Sequence, residues 1–223
     1  MGQDIHDNPL GTDGFEFVEF TSPDPVALGK VFEAMGFTAV ARHRSKNVLR
    51  YKQGDVDFIL NMEPNGQAAE FRGAHGPSIN AMAFRVRDAA KALRLAVERG
   101  AVEVKGAIGP MELNIPAIQG IGGSYLYLVD RYGAQEIYDV DFVPIPGAQI
   151  REKLDSAGLT YIDHLTHNVH RGNNAQRPRH VPVQRNSMRR GIRRHPPAKH
   201  GIDGIALRCG FIVCNRGWPA TSA

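Results

Sequence analysis

The sequence predicts an α+β fold of two tandem β-α-β-β-β units, followed by a basic, disordered C-terminal tail. Three observations carry this reading. A helix-capping aspartate and a helix-stopping glycine recur together, Asp24 with Gly36 and Asp88 with Gly100, both marks displaced by 64 residues. One strand candidate precedes each capped segment and three follow it, the pattern of an internal duplication. Charge then divides the chain. Residues 1–172 hold 17 Lys and Arg against 22 Asp and Glu, whereas residues 173–223 hold ten against Asp203 alone.

Taken in order, Phe15–Phe20 (FEFVEF) alternates and is rich in aromatics, as a strand requires. Asp24 can cap free backbone donors and Pro25 suits the first helical position. Leu28, Val31, Phe32 and Met35 fall at helical spacing, and Gly36 is placed to end the helix with positive φ. Strands are expected at Thr38–His43, Val48–Lys52 and Asp55–Met62, the last two joined at Gly54-Asp55. Phe71, Arg72 and His75 read as a loop between the units. In the second unit, Ile79–Val86 reads as a strand, and Ala89, Leu93, Ala96 and Val97 as the apolar stripe of a helix whose charged positions face solvent. Strands are then expected at Val102–Ile108, Ile115–Ile121 and Ser124–Val129. Gly120–Ser124 (GIGGS) opens no helix and reads as a turn rather than a phosphate loop. Ile137–Pro146 extends the second unit into a proline-bearing connector, and Leu159–His164 begins a new strand.

Composition narrows the function classes. An apolar fraction of 42% suffices for a buried core. The only cysteines, Cys209 and Cys214, lie in the tail, which argues against a disulfide scaffold and suits a reducing cytoplasm. The polar N-terminus lacks the apolar centre of a signal peptide, and no apolar run approaches the roughly 20 residues that cross a bilayer. Nine arginines in the tail invite a nucleic-acid reading, yet they follow no recognition motif and alternate with prolines at 178, 182, 196 and 197. The preferred expectation is a shifted reading frame beginning just after Gly172 or Asn173.

The most informative stretch is Thr160–Gly172, TYIDHLTHNVHRG, with His164, His167 and His170. Together with DRYGAQEIYDVDFVPIPG before it, GFEFVEFTSPDP near the start, and NAMAFRVRDAAKAL and GAIGPMELNIPAIQGIGGSYLYLVDRYG in the second unit, it resembles bacterial 4-hydroxyphenylpyruvate dioxygenases of the vicinal-oxygen-chelate superfamily. The resemblance runs from about Gly14 to Gly172 and stops abruptly.

That resemblance implies four β-α-β-β-β units in two glyoxalase-like domains, the first pair a scaffold without metal. The second pair holds Fe(II) through two histidines and one glutamate, a donor set that leaves open positions for substrate and oxygen. It also implies a cytoplasmic enzyme of tyrosine breakdown that converts a 2-oxo acid, 4-hydroxyphenylpyruvate, and O2 to homogentisate and CO2, and that commonly self-associates. Residue by residue, only His164 matches a metal ligand. His167 and His170 match none, His180, His195 and His200 sit in unrelated surroundings, and no catalytic or cofactor-binding residue is assigned. Expected boundaries follow: an extension at 1–13, an N-terminal domain at 14–150 with units at about 14–66 and 78–146, the start of a truncated catalytic domain at 151–172, and the tail at 173–223. With two of three ligands missing, no turnover is expected. The alternatives are a non-catalytic module binding a small ligand and a nucleic-acid binder acting through the tail.

Overall fold

A computed structural model of the chain describes residues 8–105, 113–150 and 157–165, and the backbone of 211–214. The fold is organised about one pair of antiparallel strands, β1 (Thr12–Thr21) and β5 (Ser78–Val86). At their centre Val18 lies opposite Met82, residues separated by the same shift of 64 as the caps and stops. A local two-fold therefore passes through this pair and relates the two units.

Each unit runs outward from that seam in the same order. In the first, β1 pairs in parallel with β4 (Val56–Asn61), which pairs with β3 (Val48–Gln53), then β2 (Thr38–His43). In the second, β5 pairs in parallel with β8 (Tyr125–Val129), then β7 (Ala117–Gln119) and β6 (Glu103–Val104). A nine-stranded mixed sheet results. The chain then makes the short helix α4 (Tyr138–Asp141) and strand β9 (Phe142–Pro144), which pairs with β2. Ile137–Pro146 therefore does not extend the second unit as expected; it crosses back and covers the edge of the first. A two-sided apolar run such as Phe142-Val143 needs a strand to pair with, and the exposed ladder of β2 offers one.

The two capped helices lie on one face. α1 (Pro25–Ala34) and α3 (Ala89–Glu98) begin alike, with Asp24 accepting from Ala27 N at 2.9 Å and Asp88 from Lys91 N at 2.8 Å. Each such cap holds ~1 kcal/mol of helix stability. Gly36 and Gly100, with φ of 91° and 93°, end the two helices. α1 buries Leu28 and Phe32 against Phe20, Tyr51 and Phe58. Met35, expected in the stripe, is exposed, and Gly29 takes its place because a β-carbon there would meet the Tyr51 hydroxyl at 2.7 Å. In α3 the buried residues are Ala89, Ala92 and Ala96, while Val97 faces out. Small residues let that helix lie close to the sheet.

Two further departures are local. Phe71, Arg72 and His75 form not a loop but a helix, α2 (Gln67–His75), bounded by Gly66 and Gly76, and Arg72 ties it down by donating to the Glu63 carbonyl at 2.7 Å. It lacks the apolar periodicity by which a helix is read, which is why the sequence concealed it. Beyond the sheet, β10 (Tyr161–Leu165) pairs antiparallel with β11 (Phe211–Cys214). The remainder of 173–223, including the expected disorder and the frame break, lies outside the described residues. Among the described residues, no helix is long and apolar enough to cross a membrane.

Candidate functional site

Two places can carry function: the strand bearing His164, and the sheet face opposite the helices. β10 reaches the sheet through the turn between β3 and β4. Asp55 N donates to the Thr160 carbonyl at 3.0 Å, and Leu159 N donates to Gln53 Oε1 at 2.9 Å. Gln53 is buried and also donates to the Met35 carbonyl, so a fixed amide holds the incoming chain. Gly54, with φ of 56°, leaves room for the Leu159 carbonyl. Ile162 is buried in the main core, with Leu159 and Leu165 packed against it. His164 stands opposite Ile212 on β11. The backbone of the expected ligand is thus anchored to the sheet.

Among the described residues no three His, Cys, Asp or Glu side chains form a group able to hold a metal. The side chain of His164 is itself outside the described residues. His167, His170, His180, His195, His200 and Cys209 lie outside them.

The open sheet face forms a cleft of about 210 Å³. Phe17 and Glu19 project into it from β1, Ile59 and Asn61 from β4, and Tyr125 and Tyr127 from β8. Directly across the seam from Phe17 and Glu19 stand Ala83 and Ala81. The two-fold thus sets bulky residues of one unit against small ones of the other, and the difference leaves space. Phe142 and Ile137 close one end.

Its acidic residues, Glu19 and Asp141, are buried. Glu19 Oε1 accepts from Asn80 Nδ2 at 2.7 Å and Asn61 Nδ2 at 2.8 Å. Burial nevertheless outweighs both donors and raises the Glu19 pKa above the ordinary carboxylate value. Burial, and then the nearby Glu19 charge, likewise raise the Tyr127 pKa, so its phenol stays neutral. Deeper in the sheet, Asp57 accepts from Arg50 at 2.7 Å and Lys52 at 2.9 Å, and the Arg50 guanidinium lies 3.4 Å above the Tyr138 ring. Glu16 pairs with Arg85. The sequence reading named none of these residues. The available signal was the placing of Glu16 and Glu19 inside a strand otherwise aromatic and aliphatic, where an acid has to be paired or useful.

A family model described as "Hydroxyphenylpyruvate dioxygenase, HPPD, N-terminal" matches residues 6–143. The chain belongs to this family. The hydroxyphenylpyruvate dioxygenase relatives include a 4-hydroxyphenylpyruvate dioxygenase of Pseudomonas sp. (strain P.J. 874), 54% identical over 170 residues, 76% of this chain and 47% of that one. Hemolysin VllY of Vibrio vulnificus is 57% identical over 169 residues, 74% of this chain and 47% of its own. Among solved structures, a xylose isomerase-like TIM barrel/4-hydroxyphenylpyruvate dioxygenase fusion protein superposes with a TM-score of 0.62 at 36% identity, over 72% of this chain and 26% of that one. The chain spans about half the length of the curated relatives it matches. Its mixed sheet with few helices is the glyoxalase-like fold of the family.

Proposed function

We propose that residues 14–150 are the N-terminal, metal-free domain of a protein that converts 4-hydroxyphenylpyruvate and O2 to homogentisate and CO2, and that residues 151–172 lead into its catalytic domain. The observation that carries this reading is the family match across 6–143, supported by a relative of that name at 54% identity. On this reading the protein is an iron-dependent, cytoplasmic dioxygenase of tyrosine breakdown. Bound Fe(II) would supply the oxygen chemistry, and His164 would be one of its ligands. The described residues do other work: Gln53, Gly54 and Asp55 hold the approach to β10, and Ile162 seats it in the core, so that the ligand enters from a rigid support. Residues 173–223 are proposed to be the product of a shifted frame, on the strength of the abrupt excess of arginine over acids. The nucleotide sequence across codons 168–180 tests this, and an intact single frame with no alternative homologous frame refutes it.

The purified 223-residue chain is expected to form no homogentisate and to retain iron well below one equivalent. Residues 1–165 joined to the matching C-terminal half of the Pseudomonas relative are expected to form homogentisate, and His164→Ala in that chimera to remove both iron and turnover. A folded His164→Ala chimera that keeps its iron would exclude the ligand role. Turnover by the 223-residue chain alone would overturn the scaffold reading.

A further inference from the structure

Asparagine carries an electrophile beside the main chain: the backbone nitrogen of the next residue can attack its side-chain amide carbon and close a five-membered ring. The attack needs an N–H free of other bonds, a side chain free to turn, and little bulk on the following residue. The fold withholds at least one of these from five of the six asparagines among the described residues. Asn8 precedes Pro9, which has no N–H. Asn47 precedes Val48, whose N–H donates to the Lys46 carbonyl at 2.9 Å, and Asn61 precedes Met62, whose N–H donates to the Asn47 carbonyl at 2.9 Å. Asn80 is buried in β5, its amide donating to Glu19 and Gln67. Asn114 precedes the β-branched Ile115, whose bulk crowds the approach.

Asn65 has none of these protections. It precedes Gly66, and both are exposed. Among the described residues, neither the Asn65 side chain nor the Gly66 N–H makes a hydrogen bond. The chain on either side is fixed. Glu63 N donates to Asn61 Oδ1 at 3.0 Å, and Arg72 donates to the Glu63 carbonyl at 2.7 Å. Gln67 Nε2 donates to the Asn80 and Gly123 carbonyls, both at 2.9 Å. Residues 64–66 therefore form a short bridge between two pinned points. Gly66 starts α2 without a side-chain cap, and its carbonyl accepts the Glu70 N–H at 3.0 Å.

We propose that Asn65 is a self-modification site, whose conversion to isoaspartate loosens α2 from the sheet. Gly66 N gives its proton to solvent base and bonds to Asn65 Cγ; the Cγ–Nδ2 bond breaks, and the amide nitrogen leaves as ammonia. Water then opens the ring, and no oxidant or reductant is needed. Attack of water at Cγ gives aspartate. Attack at the main-chain carbonyl gives isoaspartate, in which the chain runs through the side chain and is one carbon longer. Either product places a carboxylate just before α2, where the helix dipole tolerates it. Only isoaspartate also lengthens a bridge whose ends are fixed. The misfit falls on α2, and through the Gln67 bond to Asn80 it reaches the amide that donates to Glu19. Asp13 also precedes a glycine, but a carboxylate resists a nitrogen nucleophile far better than an amide does, and Asp13 accepts from the Tyr132 hydroxyl at 3.2 Å. Nothing in this site depends on iron or on the catalytic reading of the longer protein.

The test ages the purified 223-residue chain at mildly alkaline pH and digests it at intervals. Each asparagine peptide is followed by mass, and isoaspartate is counted by enzymatic carboxyl methylation. The peptide carrying Asn65 is expected to gain the amide-to-acid mass difference ahead of those carrying Asn8, Asn47, Asn61, Asn80 and Asn114, faster as pH rises, with isoaspartate exceeding aspartate. Gly66→Ala sets a β-carbon beside the attacking nitrogen and is expected to slow the reaction roughly ten-fold, about 1.4 kcal/mol on its barrier. Asn65→Gln would need a larger ring and is expected to remove it; this variant decides the matter if Gly66→Ala, at a φ of 84°, disturbs α2. By hydrogen exchange, chains with isoaspartate at position 65 are expected to lose protection at the Glu70 amide while the β1–β5 seam keeps its own. Asn65→Asp, with the charge but an ordinary main chain, is expected to keep Glu70 protected. Conversion at Asn65 no faster than at the other five, or unchanged in Asn65→Gln, would overturn the site. Full Glu70 protection in the isoaspartate chains, or equal loss in Asn65→Asp, would overturn the loosening.

Discussion

Glu19 shows how one side chain can cost stability and still be retained. Its carboxyl is held between two asparagines on strands β4 and β5, but removal from water dominates and raises its pKa. A raised carboxyl pKa means the folded state holds the proton to higher pH than the unfolded state does. The stabilising contribution is then complete below the ordinary glutamate range and is lost as pH rises through the raised value. Glu19→Gln keeps an oxygen for both asparagines and carries no charge to desolvate. The variant is therefore expected to gain melting temperature over the parent as pH rises from acid towards neutral, and to lose that advantage at low pH. Thermal scans of the two chains across that range check it; a constant offset would mean that the carboxylate is not the source of the cost. Glu16 shifts in the same direction, burial again outweighing its Arg85 partner, so the Glu19→Gln variant still keeps one acid-favouring contribution.

Among the elements, the turn between β3 and β4 does two jobs. It closes a hairpin, which needs only the positive φ of Gly54, and it receives Leu159 and Thr160 from the far end of the described chain. A β-carbon at residue 54 would stand 2.5 Å from the Leu159 carbonyl, a backbone atom that cannot swing aside. Gly54→Ala is expected to cost about 1–3 kcal/mol for the positive φ alone, and to release the approach to β10 as well. Hydrogen exchange separates the two effects. The Asp55 amide, bonded to the Thr160 carbonyl, is expected to lose protection while the β1–β5 seam keeps its own. Unchanged protection at Asp55 would show that the docking survives. Gly54-Asp55 was legible as a turn because local chemistry dictates turns; its second role was not, since a contact across more than a hundred residues leaves no mark on neighbouring positions. α2 was hidden for a related reason: its hold comes from Arg72 and from Gln67 reaching the Asn80 and Gly123 carbonyls, not from an apolar stripe.

For the molecule as a whole, duplication was readable because each unit repeats its own local signals, the aspartate cap and the glycine stop, at one fixed shift. The cleft was not, because it exists only where the units differ, Phe17 and Glu19 on one side of the two-fold and Ala83 and Ala81 on the other, and that difference acquires meaning only once the strands are paired. The same seam decides how the units unfold. β1 and β5 pair along most of their lengths, and a single core cluster runs from Val18, Leu28 and Phe32 in the first unit to Met82, Ile118 and Leu126 in the second. Neither unit can open without exposing apolar surface of its twin. The two are therefore expected to melt in one cooperative transition, with coincident far-ultraviolet and tyrosine near-ultraviolet signals. Leu28→Ala in the first unit and Ile118→Ala in the second are each expected to cost about 2–5 kcal/mol and to lower that one midpoint for amides in both units alike. Two resolved transitions, or a substitution that shifts the exchange of its own unit alone, would mean that the seam joins two domains rather than one.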